Sequence, residues 1–312
     1  MIRFPSDHWA LILGGSSGFG LATAKKLGAS GMSVAVVHRD RRGAMGPIEQ
    51  EFAAIRAAGA ELVTFNLDAL SEEGRRTVLD TVGDRMARQG RVRLLLHSIA
   101  AGNLKLVAPA PQGPAPAVRA RALLAAQLGI AEETLGAAIQ AAAAESDALA
   151  ELASPPLYSS ESLLEEEDFS RTIFAMGTSL ATWAQDILAR GLFASDARII
   201  GLTSEGNQVA MRGYAAVAAA KAALESVSRA MALEMAPHGI RSNIVQPGVT
   251  DTAAIRLVPG SALTKAAARR RNPFGRLTTT QDVADVICLL CTDEARWING
   301  ALIRVDGGEH IA

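Results

Sequence analysis

Tyr214 and Lys221 stand seven residues apart in the segment Gly213-Tyr214-Ala215-Ala216-Val217-Ala218-Ala219-Ala220-Lys221. The segment is rich in alanine, which favours helix. Seven residues make almost two turns, so a helix would place both side chains on one face, roughly 10 Å apart along its axis. A phenol and an ammonium so placed can form an acid site, because the cation favours the phenolate and lowers the phenol pKa. The same pair also reads as a core phenol and a surface amine. The elements around it must decide.

The first third supplies those elements. Trp9-Ala10-Leu11-Ile12-Leu13 is an apolar run followed by Gly14-Gly15-Ser16-Ser17-Gly18-Phe19-Gly20 and then by Leu21 to Leu27 with helical spacing. This predicts a strand, a glycine turn and a helix. Glycines let backbone approach a pyrophosphate, whose charge the helix N-terminus meets. A second strand, Ser33 to Val37, ends in His38-Arg39-Asp40-Arg41-Arg42. Three arginines there suit a ribose 2′-phosphate and favour NADPH; Asp40 as a ribose acid keeps NADH open. A solvated charged turn is the plain alternative. A helix over 48–58, a third strand over Glu61 to Phe65, a helix over 71–88 and a fourth strand over Val92 to Leu96 continue the alternation. Asn66-Leu67-Asp68 follows the third strand, where an adenine amino group would bind. The pattern predicts an α/β fold, a doubly wound parallel sheet of Rossmann type, with ligands at the carboxyl ends of the strands.

The whole chain of 312 residues reads as a single such domain, interrupted at 106–165 by a helical insertion. About half its residues are apolar, enough for a sizeable core. A formal charge of −1 argues against nucleic acid or an anionic membrane as obligate partner. Residues 1–10 carry Arg3, Asp7 and His8, so neither a signal peptide nor a membrane span is expected there. Cys288 and Cys291 lie in the apolar segment Val286 to Cys291 and read as small packing residues, consistent with a reducing cytoplasm; no metal site is expected.

These segments together resemble the short-chain dehydrogenase/reductase family. Gly14-x-x-x-Gly18-x-Gly20 matches its nucleotide turn, and Pro247-Gly248-Val249-Thr250-Asp251-Thr252 matches its Pro-Gly-x-x-x-Thr segment. Asn272-Pro273-Phe274-Gly275-Arg276 and Val305-Asp306-Gly307-Gly308 are similar to its C-terminal signature. Ordinary members space the catalytic tyrosine and lysine by four residues, but that position is Val217 here. The longer spacing to Tyr214, with His97-Ser98-Ile99-Ala100, resembles the divergent branch typified by bacterial enoyl-acyl-carrier-protein reductases. That branch usually has a second tyrosine ten residues before the first; this chain has Ser204, where carbonyl-reducing members place a serine. Ser204 also reads as a turn cap after the strand Arg198 to Leu202.

The resemblance implies reduction of an enoyl thioester on acyl carrier protein or CoA by NADPH, with NADH open. The alternatives are a 3-oxoacyl or other carbonyl ketoreductase, and a non-catalytic NADPH-binding regulator. It implies catalysis by Tyr214, Lys221 and Ser204, and Lys221 would also hold the nicotinamide ribose. Gly14, Ser16, Ser17, Gly18, Phe19 and Gly20 would line the phosphates, with His38 and Arg39 near the 2′-phosphate. Asn66 and Leu67 would lie at the adenine, and Ser98, Ile99 and Ala100 at ribose and nicotinamide. Pro247, Gly248, Val249 and Thr252 would meet the carboxamide and phosphate. The segment 253–271 would be a mobile substrate loop whose Arg269-Arg270-Arg271 receive an anionic handle. A homotetramer or homodimer would form through helices near 170–190 and 214–236.

The insertion opens with Pro109, Pro111, Pro114 and Pro116, and 118–152 has helical spacing split near Gly129-Ile130-Ala131-Glu132. It predicts a hairpin of two helices closed by Ser154-Pro155-Pro156, acting as a substrate cover, a subunit contact, a carrier-binding surface (for which Arg119 and Arg121 are few basic residues) or plain decoration. Tyr158 reads as a packing residue, and the acidic run Glu161 to Asp168 suits the start of the next helix.

Overall fold

The computed structural model describes residues 2–86, 90–110, 116–145 and 162–312. Among these, seven parallel strands form one sheet: β1 (His8–Leu13), β2 (Ser33–His38), β3 (Leu62–Asn66), β4 (Arg91–His97), β5 (Phe193–Leu202), β6 (Ile240–Pro247) and β7 (Leu302–Val305), in the order β3-β2-β1-β4-β5-β6-β7. The chain leaves β1 towards β3 and returns to β4 on the other side, so the strand order reverses between β1 and β4. Such a switch point opens a crevice at the carboxyl ends of the strands.

Both faces of the sheet are covered, which is why the strands read as near-continuous apolar runs. Alternate residues feed two layers. Leu11, Leu13, Val37, Leu95 and Ile199 pack with α3 (Glu72–Met86), α7 (Ser179–Ala189) and α8 (Ala215–Glu234) through Val78, Trp183, Ile187 and Leu224. Ile12, Val34, Val36, Leu96 and Ile200 pack with α1 (Gly18–Ala29), α2 (Met45–Ala57) and α11 (Thr280–Leu290) through Leu27, Phe52, Ile287 and Cys288. Both cysteines are buried and unpaired, and burial pushes the Cys291 thiol up to about 12, which fits packing rather than redox work.

At the amino edge of the sheet two buried arginines brace the far end of α11. Arg93 donates to the Cys291 carbonyl and Arg198 to that of Leu290, and both pair with Asp196. Guanidinium donors on the last carbonyls of a helix satisfy groups the helix itself cannot.

The insertion leaves after β4. A bridge between Leu106 and Leu163 closes its base, and Asp168 holds Asn103 (2.8 Å) and Lys105 (2.7 Å) beside it. Its described helices are α4 (Pro116–Leu128) and α5 (Glu132–Glu145), joined through Gly129 and packed on each other by Ala125, Leu135 and Ile139. Tyr158 and the Ser154-Pro155-Pro156 end lie outside the described residues. Among the described residues no single helix is long and apolar enough to cross a membrane; α4 and α5 reach that length and composition only as a pair bent by 113°.

After the insertion, α6 (Glu166–Ile173) begins in the acidic run, where Asp168 accepts from the Glu165 amide at 3.1 Å. One π-helical turn, Phe174–Thr178, separates α6 from α7. There the helix crosses α8 so closely that a Cβ on Gly177 would lie 2.7 Å from the Ala220 carbonyl oxygen, on backbone that cannot step aside. Gly177→Ala should therefore lower stability by about 1–3 kcal/mol, despite alanine's better helix propensity. A urea titration with an unchanged midpoint would show that the crossing accommodates a methyl group.

Candidate active site

Strand ends set the frame. Leu13 pairs with His97, His97 with Gly201 and Leu202 with Val245, so the segments following β1, β4, β5 and β6 emerge along one edge. The glycine turn lies in the crevice. Gly14 has φ +85°, and a Cβ on it would lie 2.6 Å from the Ser98 carbonyl oxygen. A Cβ on Gly20 would lie 2.1 Å from the Gly14 carbonyl oxygen, so α1 and β1 meet only through glycine. Ser16 and Ser17 precede α1, Phe19 sits in its first turn packed on the core, and Gly18 faces Thr252 across the crevice. This bare backbone beside a helix N-terminus fits a pyrophosphate.

Helix α8 begins at Ala215, so Tyr214 is its N-cap rather than an interior residue. Gly213 has φ +73°, a left-handed turn that interrupts the helix predicted from the alanine run, and the Tyr214 carbonyl accepts the first helical bond from Ala218 at 2.8 Å. The phenol is swung over the loop after β5, where its oxygen lies 3.2 Å from Ser204 Oγ. Ser204 thus joins Tyr214, as its spacing allowed. Burial pushes the phenol pKa up and the Ser204 hydrogen bond opposes it. The expected depression by Lys221 is a correction: desolvation governs the phenol in the ligand-free protein, and it stays protonated at neutral pH.

Lys221 is buried, its ammonium donating to the Leu202 carbonyl at 2.8 Å. Burial lowers its pKa from an ordinary 10.5 to about 8, with Glu225 pulling the other way. Glu225, one turn along α8, also accepts from Thr203 and Asn207, both at 2.6 Å. It therefore ties α8, the helix that carries Lys221, to the loop that carries Ser204. The i, i+4 spacing of Lys221 and Glu225 was the available signal for this residue. Behind them His97 is buried, bonded through Nε2 to Ser179 Oγ at 2.9 Å; burial, then the Lys221 charge, lower its pKa to about 3, so it is neutral.

Other expected contacts are distributed differently. The His38 ring lies in the core, bonded to Asp40 at 2.9 Å and tilted against Phe52, so only Arg39 of that pair reaches the surface. Arg39 pairs with Asp68 at 3.0 Å. Asn66 spends its amide on the Asp40 backbone, accepting from N–H and donating to C=O at 3.0 Å each, and the Leu67 amide donates to the His38 carbonyl. These residues brace the β2 turn rather than leave a side chain free for adenine. Ser98 donates its amide to Leu13; Ile99 packs on the core and Ala100 is exposed. Pro247 ends β6, and Gly248 donates to Val305. The Val249 amide is held by Glu309 at 3.0 Å, and Thr252 caps α9 (Ala253–Arg256). The segment read as a loop is largely helical, with α9 followed by α10 (Ser261–Arg271) and Asp251 pairing with Arg256 and Lys265. Arg271 is engaged by Glu205 and Glu309 and so is already paired where an anionic handle was expected to bind.

A doubly wound sheet, a glycine turn at its switch point and a tyrosine–lysine helix at its carboxyl edge define a Rossmann-like fold with a tyrosine-centred site. A family model described as Enoyl-(Acyl carrier protein) reductase matches residues 133–310, and one described as short chain dehydrogenase matches residues 8–112. The chain belongs to the short-chain dehydrogenase/reductase family and resembles its enoyl-acyl-carrier-protein reductases. It is 34% identical over 148 residues to the NADH-dependent enoyl-acyl-carrier-protein reductase of Aquifex aeolicus, covering 46% of this chain and 55% of that protein. It is also 34% identical over 125 residues to D-erythrulose reductase of Gallus gallus, covering 40% and 50%. The chain thus spans about half the length of these curated relatives. A short chain dehydrogenase from Burkholderia cenocepacia, solved with NADP, superposes with TM-score 0.69 at 24% identity over 97% of this chain and 98% of that one. The solved Aquifex reductase superposes at TM-score 0.70 and 23% identity over 98% and 97%. At these identities the two structures speak to fold alone.

The lysine yields a prediction about stability. Its folded pKa lies below the unfolded one, so below pH 8 the full cost of burying the charge applies. Between about 8 and 10.5 the folded state sheds its proton first, and stability rises with pH. Lys221→Met should stabilise the ligand-free protein at pH 7 by on the order of 2–3 kcal/mol and abolish that rise. Urea titrations of both proteins at pH 7 and pH 10 check the sign.

Proposed function

We propose that this chain is an NAD(P)H-dependent reductase of an enoyl thioester carried by acyl carrier protein or CoA. The observation that carries the reading is the 3.2 Å contact between the Ser204 and Tyr214 hydroxyls at the carboxyl edge of the sheet, with Lys221 buried on the same helix. The seven-residue spacing, the His97-Ser98-Ile99 segment and the relationship to the Aquifex enoyl reductase support a carbon–carbon double bond as the target.

The glycine backbone at Gly14 and Gly20 and the exposed Arg39 guanidinium fit a dinucleotide with a 2′-phosphate. A bound reduced nicotinamide would supply a hydride to the β-carbon of the substrate. Negative charge would then develop on the thioester carbonyl oxygen as an enolate, which a proton, passed from the Tyr214 hydroxyl to that oxygen and followed by tautomerisation, would convert to the saturated thioester. Tyr214, protonated at neutral pH, donates a hydrogen bond to that oxygen, and Ser204 offers a second donor from the same side. Donors already oriented before the charge forms stabilise it without reorganisation. Lys221 would bind the nicotinamide ribose hydroxyls through its ammonium.

A second reading has its own support. A serine hydroxyl bonded to a protonated tyrosine also suits direct proton donation to a ketone, and a ketose reductase stands among the relatives. NADPH oxidation with a crotonyl thioester and with an acetoacetyl thioester separates the two. Tyr214→Phe should lower kcat on the accepted substrate by about 100-fold and leave cofactor affinity near normal. Full activity in Tyr214→Phe on every accepted substrate would remove this helix from the chemistry.

Cofactor choice follows from Arg39. Its pair with Asp68 is exposed on both sides and so is weak, leaving the guanidinium able to turn to a phosphate. NADPH should bind more tightly than NADH by roughly tenfold to a hundredfold, and Arg39→Ala should close most of that gap. Fluorescence titrations giving equal affinities in the unmodified protein would reject the preference.

A further inference from the structure

Three segments of the active-site rim meet at one guanidinium. Arg271, the last residue of α10, donates through Nη1 and Nη2 to the two carboxylate oxygens of Glu205, at 3.2 and 2.6 Å. Nη2 also donates to Glu309 Oε1 at 2.9 Å. Glu205 directly follows Ser204 and opens the short turn Glu205–Asn207, so its carboxylate fixes the backbone that aims the serine hydroxyl. Glu309 lies near the end of the chain, buried, and its Oε2 accepts the Val249 amide of the segment after β6. Arg271 closes the segment 253–271 on both.

The arrangement is asymmetric in its energetics. Glu205 is partly exposed and could be solvated without the arginine; Glu309 is almost wholly enclosed. Burial pushes the Glu309 carboxyl up, and Arg271 is the cation that opposes this. If α10 lifts away, Glu309 keeps the Val249 hydrogen bond but loses its counter-charge, and an uncompensated buried charge is costly. The seated position of α10 is therefore favoured by a charge belonging to a different segment. Seating α10 also holds Glu205, and through it Ser204.

We propose that Arg271 is a positioning residue that latches the substrate-covering segment 253–271 to the serine loop and to the Val249 segment, so that segment closure and Ser204 alignment occur together. This rests on the reductase reading for its meaning in catalysis, but the latch itself is measurable without turnover.

The test is hydrogen–deuterium exchange on the full chain, combined with steady-state kinetics. In Arg271→Met, amides of 261–271 and of 205–207 should both exchange about tenfold faster or more, while core amides of β4 and β5 keep their rates. KM for the accepted thioester or ketone should rise about tenfold, with the NADPH dissociation constant within about twofold of the unmodified protein. Arg271→Lys, which keeps the charge but not the fork, should fall between the two. Unchanged exchange in either segment overturns the latch, and so does equal acceleration throughout the chain, which would make Arg271 a general stability residue. Should Arg271→Met fail to fold, Glu205→Gln decides: faster exchange in both segments supports the latch and unchanged exchange overturns it. If neither thioester nor ketone is turned over, the reductase reading falls while the exchange comparison still decides the latch.

Discussion

The buried ammonium of Lys221 is the constraint around which the rest of the site is arranged. A charge removed from water demands partners. The ammonium donates to the Leu202 carbonyl at the end of β5, and the Glu225 charge one turn along the same helix opposes the cost of its burial. Burial, with the Lys221 charge adding to it, keeps the His97 ring neutral, and its Nε2 bonds Ser179. Glu225 in turn fixes Thr203 and Asn207, which flank Ser204 and its turn. The loop carrying the serine is thereby held to α8, the helix that carries Lys221.

Around that centre the fold distributes rigidity unevenly. The amino edge of the sheet is braced by arginines whose donors end on carbonyls and aspartates, and α11 is held there by its own last carbonyls. The carboxyl edge is built from glycine backbone, short turns and ion pairs partly open to water. The π-helical turn between α6 and α7 lets that helix pass α8 through Gly177 close to Lys221.

Much of the fold was legible in the residues because burial on both faces of a parallel sheet leaves an unmistakable apolar signature. The strands at Trp9 to Leu13, Ser33 to Val37 and Val92 to Leu96 were found within a residue or two of their ends. Ser204 and Tyr214 were both singled out from spacing, but their mutual contact was not, because Tyr214 is the cap of α8 rather than an interior helical residue. The helix start was misplaced because alanine propensity is local, whereas Gly213 breaks the helix through its left-handed backbone. The 253–271 segment was read as a loop because its helices are short and draw their order from Asp251 and Arg271, not from apolar periodicity.

By itself the sequence determined the strand–helix alternation, the glycine turn at the first strand and the identity of the tyrosine, lysine and serine that meet at the sheet edge. These follow from properties each segment carries alone: side-chain period, missing Cβ atoms and fixed spacing. Only the tertiary structure decided which groups are buried and whom they face. It buried Lys221 and raised the Tyr214 pKa, turned His38 inward and Asn66 onto the Asp40 backbone, and brought Glu205, Arg271 and Glu309 together from three distant stretches of chain. Desolvation and ion pairing depend on neighbours supplied by the packing of the whole sheet, and no local pattern encodes them.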